Sequence, residues 1–308
     1  MRIGITLPQS GVIAGPDAVV AAATRAEELG YDSLWVSERL LWPITPSIPN
    51  PSMPGGILPE RTQTQLDPLH TLTFAAAHTS RVALGTSVIN LPFYQPYRLA
   101  RTLATVDVLS GGRLRVGLGN GWMPEESGAV GLPTTGVGAR ADEYIEVLKT
   151  VWTDNPVEFD GHYVTIPRSI VGLKPVQKPY PPIYMAAFSE RAMRRVARHA
   201  DGWNPSRLPI DELAPRFAHI KTMADEAGRD ADALELIVRA NLALSAEPGS
   251  SERPAFTGSL DQVHDDIRQV RAIGAHEIIL DFQDSPGVDS LDRFLELMNE
   301  LWIRARAI

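Results

Sequence analysis

The chain has 308 residues, of which 44% are hydrophobic and 21% charged, with a net charge of −8 and no cysteine. That length suits one closed α/β barrel of ~250 residues carrying insertions, and the composition suits a globular protein with a large buried core. Without cysteine there are no disulfides, no thiolate catalysis and no cysteine-ligated zinc or iron–sulfur site, and the negative charge argues against a nucleic-acid partner, which needs a basic face. No run reaches the ~18 to 20 apolar residues of a membrane helix, and Met1 to Ser10 is too short and too glycine-punctuated for a signal peptide. A cytoplasmic protein with no membrane partner is the resulting expectation.

The chain opens on a short strand at 2–8. A helix follows at 16–29, where Val19, Val20, Ala23, Ala26 and Leu29 recur near helical spacing, Pro16 suits the first helical position and Gly30 suits the cap beyond the end. A second strand at 33–36 completes β-α-β, a crossover that favours parallel pairing. The alternation continues with strands at 82–86, 114–118, 182–187, 202–204, 236–242 and 277–282. Helices are predicted at 66–78, 96–109, 139–152, 189–199, 210–227, 260–273 and 290–304. Eight strands and eight helices in strict alternation predict one (β/α)₈ barrel over residues 1–308.

Two insertions interrupt the pattern. The first, 43–65, carries prolines at 43, 46, 49, 51, 54 and 59, which makes it a semi-rigid loop. Because it follows strand two it must emerge at the C-terminal face of the barrel, where barrel enzymes keep their chemistry, so it reads as a lid or pocket wall, or else as a surface excursion without function. The second, 156–181, precedes strand five and contains an Asp160–Gly161 pair between alternating runs, a hairpin signal.

Several strand ends carry candidate chemistry. Gly117, Gly119 and Gly121 with Asn120 and Trp122 follow a strand, but Pro124, Glu125 and Glu126 stand where a dinucleotide fold needs a helix to receive a pyrophosphate. A glycine turn there would let backbone lie flat against a ring system, or is an ordinary turn. Ala187, Phe188, Ser189 and Arg191 cross from strand five into a helix; Ser189 either only caps that helix or helps to offer its N–H groups to a phosphate. Glu38 and Arg39, just past strand two, are opposite charges at the barrel mouth able to orient a substrate or move a proton, or else a structural ion pair. The seven histidines show no ligand spacing and no Gly-x-Ser-x-Gly elbow occurs, so neither a metal site nor a serine hydrolase is expected.

Five stretches in this order complete a resemblance: Gly-Tyr-Asp-Ser-Leu-Trp-Val-Ser-Glu-Arg-Leu at 30–40, Leu-Gly-Thr-Ser-Val at 84–88, Leu-Ser-Gly-Gly-Arg-Leu-Arg-Val-Gly-Leu-Gly-Asn-Gly-Trp at 109–122, Pro-Pro-Ile-Tyr-Met-Ala-Ala at 181–187 and His-Ala-Asp-Gly-Trp at 199–203. Over nearly its whole length the chain resembles the luciferase-like monooxygenase superfamily, and within it the oxidoreductases dependent on the deazaflavin coenzyme F-420. The resemblance implies a non-prolyl cis peptide at Ser87–Val88 backing the coenzyme ring, with Asn90 and the turn Gly119, Asn120, Gly121 and Trp122 flanking the ring or its ribityl chain. It places Ala187, Phe188, Ser189 and Arg191 near the tail phosphate, while Glu38 and Arg39, from their place at the barrel mouth, are the catalytic candidates, giving electrostatic help to hydride transfer. It implies hydride transfer with a small organic substrate, and a homodimer or higher homo-oligomer, which the apolar helix face at Leu99, Leu103 and Val106 serves unless that face is ordinary core packing. The sugar-phosphate dehydrogenases of this branch carry an Asp-His pair where this chain has Glu38–Arg39 and an acidic residue where it has Trp122, so sugar-phosphate oxidation is not expected. Two alternatives keep the fold: an enzyme using reduced FMN and oxygen, and a flavin-binding protein without turnover.

Overall fold

The computed structural model describes residues 1–50, 56–133 and 135–307; residues 51–55 of the proline-rich insertion lie outside them. In chain order the strands are β1 (Arg2–Thr6), β2 (Ser33–Val36), β3 (Ala83–Thr86), β4 (Ile89–Asn90), β5 (Leu114–Gly119), β6 (Val157–Asp160), β7 (Thr165–Ser169), β8 (Ile183–Met185), β9 (Gly202–Trp203), β10 (Glu235–Asn241), β11 (Ala243–Leu244), β12 (Thr257–Gly258) and β13 (Glu277–Asp281). The helices are α1 (Pro16–Leu29), α2 (Pro68–Ala77), α3 (Pro96–Leu109), α4 (Pro124–Ala129), α5 (Val137–Thr153), α6 (Glu190–His199), α7 (Ile210–Glu226), α8 (Leu260–Ala272) and α9 (Leu291–Arg306).

Eight parallel strands pair in the order β3-β2-β1-β13-β10-β9-β8-β5, and β5 pairs back to β3, so the sheet closes into the expected barrel. The helix limits follow from end chemistry. Pro16 opens α1 and Gly30 closes it in the left-handed region at φ 93°. Asp67, Ser189, Ser259 and Ser290 cap α2, α6, α8 and α9 through their side chains. Leu99, Leu103 and Val106 are buried in the chain's own core, so they do not form an association surface. The second insertion does form the β6–β7 hairpin, but Asp160 pairs with Thr165, and the turn is 161–164 rather than the Asp160–Gly161 pair. Its N–H groups at His162, Tyr163 and Val164 all donate to the Glu143 carboxylate of α5, at 2.8, 2.7 and 2.8 Å, which explains why a longer turn is held there.

Closing the barrel forces the interior to alternate large and small side chains. Trp35 is fully buried there, and a Cβ on Gly85 would lie 2.4 Å from its ring and one on Gly4 2.6 Å from its indole nitrogen. Beneath it, at the N-terminal ends of the strands, Glu277 accepts from Arg2, Arg115, Ser33 and the Trp35 indole, while Glu235 accepts from Arg2 and Tyr184. This paired network plugs the lower barrel and leaves the upper end for the site.

Outside the barrel, Glu27 in α1 accepts the backbone N–H groups of Ser80, Arg81 and Val82, which lead into β3. Partial burial pushes its carboxyl up, but the donors from Val82, Arg81 and Ser80 outweigh that and hold it at about 2. Glu27→Gln is therefore expected to cost about 2 kcal/mol at pH 7 in urea unfolding, the scale of hydrogen bonds to a charged group. Because the native pKa is depressed, that stability is present above the ordinary glutamate pKa and fades as pH falls through about 2. An equal gap between variant and parent at pH 7 and pH 2.5 would contradict this assignment.

Candidate active site

At the C-terminal ends of the strands lies a cavity of ≈ 450 Å³, within the range of small-molecule sites. It is walled by the ends of β2, β4, β5, β8 and β10 and by the proline-rich insertion, which contributes Asn50, Leu58, Pro59, Arg61, Thr62 and Gln65. The insertion is thus a pocket wall, as its place after strand two predicts.

One side of the cavity is made by a local irregularity. Gly85 pairs with Arg115 and Ile89 with Leu118, so β3–β4 carries one more residue than β5 over the same span. This bulge presents Ser87 and Val88 to the cavity, and the peptide between them is cis, as the resemblance implies. The glycines of the facing turn answer to packing within the barrel. A Cβ on Gly117 would lie 1.7 Å from the Thr86 carbonyl oxygen, and one on Gly119 would lie 2.6 Å from a Val88 methyl. These two glycines let β5 accept the bulge; their missing Cβ atoms are not room for a ligand. Gly121, at φ 71°, completes the turn in the left-handed region.

Glu38, Arg39, Ser87, Val88, Asn90, Gly119, Asn120, Gly121, Trp122, Ala187, Phe188 and Ser189 all line this one cavity. Arg191 does not: it is exposed on the first turn of α6 and is not among the residues that line the cavity. Ser189 is a true N-cap, its hydroxyl accepting from the Ala192 N–H at 3.3 Å, and it also borders the cavity.

Glu38 and Arg39, although adjacent, are not each other's partners. Glu38 is buried, and its carboxylate accepts the Asn90 N–H at 2.6 Å and the Tyr94 hydroxyl. Burial raises its pKa to about 7; Tyr94 and Asn90 oppose the rise, and the nearby charges of Glu126 and Asp67 assist it. Arg39 turns instead to α4. It pairs with Glu126 at 2.8 Å and lies over the Trp122 ring at 5.6 Å, a cation–π distance. The other Glu126 oxygen accepts the Leu40 N–H at 2.7 Å, and Glu125 accepts the Ser47 N–H at 2.6 Å. The short helix α4 therefore ties down the start of the insertion, a role its prolyl and acidic sequence did not advertise.

Opposite the bulge stands a cluster of arginines that is not among the candidate residues read from the sequence. Arg239, from β10, pairs with fully buried Asp281 at 2.5 Å and donates its other terminal nitrogen to the Ser87 carbonyl, pinning the bulge. Asn204 accepts from the Ser87 hydroxyl at 2.7 Å. Arg61 of the insertion and Arg207 after β9 share Asp284, at 2.7 and 3.1 Å, and Arg61 also donates to Ser10 at 2.6 Å. A signal did exist: Arg239, Asn241 and Asp281 interrupt strands that are otherwise nearly continuous apolar runs, and a polar residue inside a parallel barrel strand must find a partner across the lumen or at its mouth.

A closed parallel barrel with a walled cavity at its C-terminal rim is the architecture of an enzyme that works on small molecules. The chain belongs to the luciferase-like monooxygenase family, whose model matches residues 1–303. It is 35% identical over 213 residues, 68% of this chain and 74% of the relative, to an uncharacterized protein of Mycobacterium tuberculosis. It is 30% identical over 228 residues, 71% of this chain and 63% of the relative, to an F420-dependent glucose-6-phosphate dehydrogenase of Amycolatopsis mediterranei. Among solved structures it is similar to the monooxygenase RslO1 of Streptomyces bottropensis, with a TM-score of 0.80, 21% identity and coverage of 99% of this chain and 98% of that one.

Proposed function

We propose that the protein is a deazaflavin-dependent oxidoreductase, binding coenzyme F-420 in this cavity and transferring hydride between the coenzyme and a small organic substrate. The observation that carries this reading is the gathering of the β3–β4 bulge, the Gly119–Trp122 turn and the start of α6 around one cavity. The residues fit such a group. Asn120 and Asn241 line the cavity, and each keeps a buried side-chain oxygen that has no donor among the described residues. Buried acceptors of this kind suit a ligand with N–H and O–H groups, as the ring edge and polyol of a flavin or deazaflavin provide. The F420-dependent relative from Amycolatopsis supports the deazaflavin over FMN.

A deazaflavin supplies two-electron hydride chemistry at its C5 carbon and disfavours oxygen reactions. The chain supplies the surroundings. Ser87 and Val88 form one wall, with the Ser87 carbonyl held by Arg239, and Trp122 forms the rim with Arg39 stacked on it. Glu38 holds or releases the proton that must accompany hydride movement, and Tyr94 and Asn90 fix its carboxylate. If the substrate is oxidised, kcat/KM rises with pH through about 7 as Glu38 becomes a base; if it is reduced, kcat/KM falls through the same pH. Glu38→Gln is expected to lower kcat/KM by ~10²- to 10⁴-fold and to remove that slope. An unchanged pH profile in the variant would take Glu38 out of the chemistry.

The reading is tested by supplying reduced deazaflavin to the protein under nitrogen with a panel of ketones, imines and enones, and in parallel reduced FMN with oxygen. Bleaching or recovery of the deazaflavin band with turnover supports it. An oxygenated product formed with reduced FMN and oxygen alone, beyond the peroxide that free reduced FMN gives, replaces it with a monooxygenase, and no product in either arm leaves a binding protein.

A further inference from the structure

The upper cluster of charges does not balance. Arg61, Arg207 and Arg239 face Asp281 and Asp284, and each of these arginines lines the cavity. Arg239 is committed on every nitrogen, to Asp281 and the Ser87 carbonyl. Arg61 is committed to Asp284 and Ser10. Arg207 makes a single hydrogen bond among the described residues, at 3.1 Å, to an aspartate it shares with Arg61. Its side chain is 26% exposed, and it hangs from a backbone in the left-handed region at φ 55°, which a long side chain seldom adopts. Burial, with Arg239 nearby, holds its pKa below the ordinary arginine value despite Asp284.

Resting on the function proposed above, we infer that Arg207 is the subsite for a carboxylate on the organic substrate, and that the substrate is a monoanionic organic acid. The surplus in the cluster is one positive charge, which one carboxylate cancels and a phosphate dianion overshoots. The unused edge of a guanidinium is a planar fork that matches the two oxygens of a carboxylate. Arg61 brings the insertion to the same spot through Asp284, so an acid bound there is covered by that loop.

The experiment is an NMR titration of ¹⁵N-arginine-labelled full-length protein, with and without whichever coenzyme binds. The probes are acetate, butyrate and benzoate, each against its neutral amide, and inorganic phosphate. At least one carboxylate is expected to bind about tenfold more tightly than its amide, with the largest shift on Arg207. Arg207→Gln should erase the difference, Arg207→Lys should restore part of it, and neither should alter coenzyme affinity. No carboxylate preferred over its amide, phosphate preferred over all three acids, or a loss of coenzyme affinity in Arg207→Gln with acid preference intact would each overturn the assignment. The titration does not depend on turnover, so a failure of hydride transfer and a failure of the subsite read out separately.

Discussion

Asp281→Asn is expected to lower stability by about 3 to 5 kcal/mol at pH 7, the cost of leaving a buried charge without its partner. Asp281 is fully buried at the end of β13 and pairs with Arg239, which also holds the bulge through the Ser87 carbonyl. Burial alone would push the carboxyl up, but Arg239, Arg61 and the Thr6 hydroxyl at 3.1 Å hold it well below the usual aspartate range. The depressed native pKa means that this contribution is complete above the ordinary aspartate pKa and is withdrawn only in strong acid. Urea unfolding of both proteins at pH 7 and pH 3 measures it; a loss under 1 kcal/mol would show that the cluster is dispensable. The substitution also frees Arg239 from β13, so coenzyme affinity should fall together with stability.

Gly117→Ala has the second large expected effect, about 3 kcal/mol of destabilisation from overpacking. The added methyl would lie 1.7 Å from the Thr86 carbonyl oxygen, where no side chain can swing aside. It would also disturb the Thr86 hydroxyl, which accepts the Gly117 N–H at 2.8 Å and donates to the Gly117 carbonyl at 2.7 Å. Gly172→Ala, with nothing among the described residues within 4 Å of the new atom, serves as the control and should fall within about 0.5 kcal/mol of the parent. Equal unfolding midpoints for the two variants would contradict the packing described for the bulge.

The barrel was legible where helices carry end signals and strands apolar runs: Pro16 and Gly30 bound α1, and Ser259 with Gln262 forms a capping box on α8; the short α4, with no side-chain cap, is not among the predicted helices. The site was legible wherever a stretch of consecutive residues builds a wall, as at 87–90, 119–122 and 187–189. It was illegible where residues distant in sequence meet only through barrel closure. Arg61, Arg207 and Arg239 lie more than a hundred residues apart at the extremes, and nothing local says that they share Asp281 and Asp284. Adjacency misled in the opposite sense. Glu38 and Arg39 are neighbours whose side chains diverge, one to Tyr94 and the other to Glu126, because consecutive residues leaving a strand point to different sides. The glycine turn was recognised but its reason was not, since the atoms that demand Gly117 and Gly119 belong to another strand.

The most direct test is a fluorescence-quenching titration of the purified protein with oxidised F-420 and, separately, with FMN. Saturable deazaflavin binding at least about tenfold tighter than FMN is expected. Binding should weaken in Gly119→Val, whose first added carbon would lie 2.6 Å from the Val88 methyl and displace that wall. Tight FMN binding with no deazaflavin binding, or deazaflavin binding indifferent to Gly119→Val, would rule out the deazaflavin site.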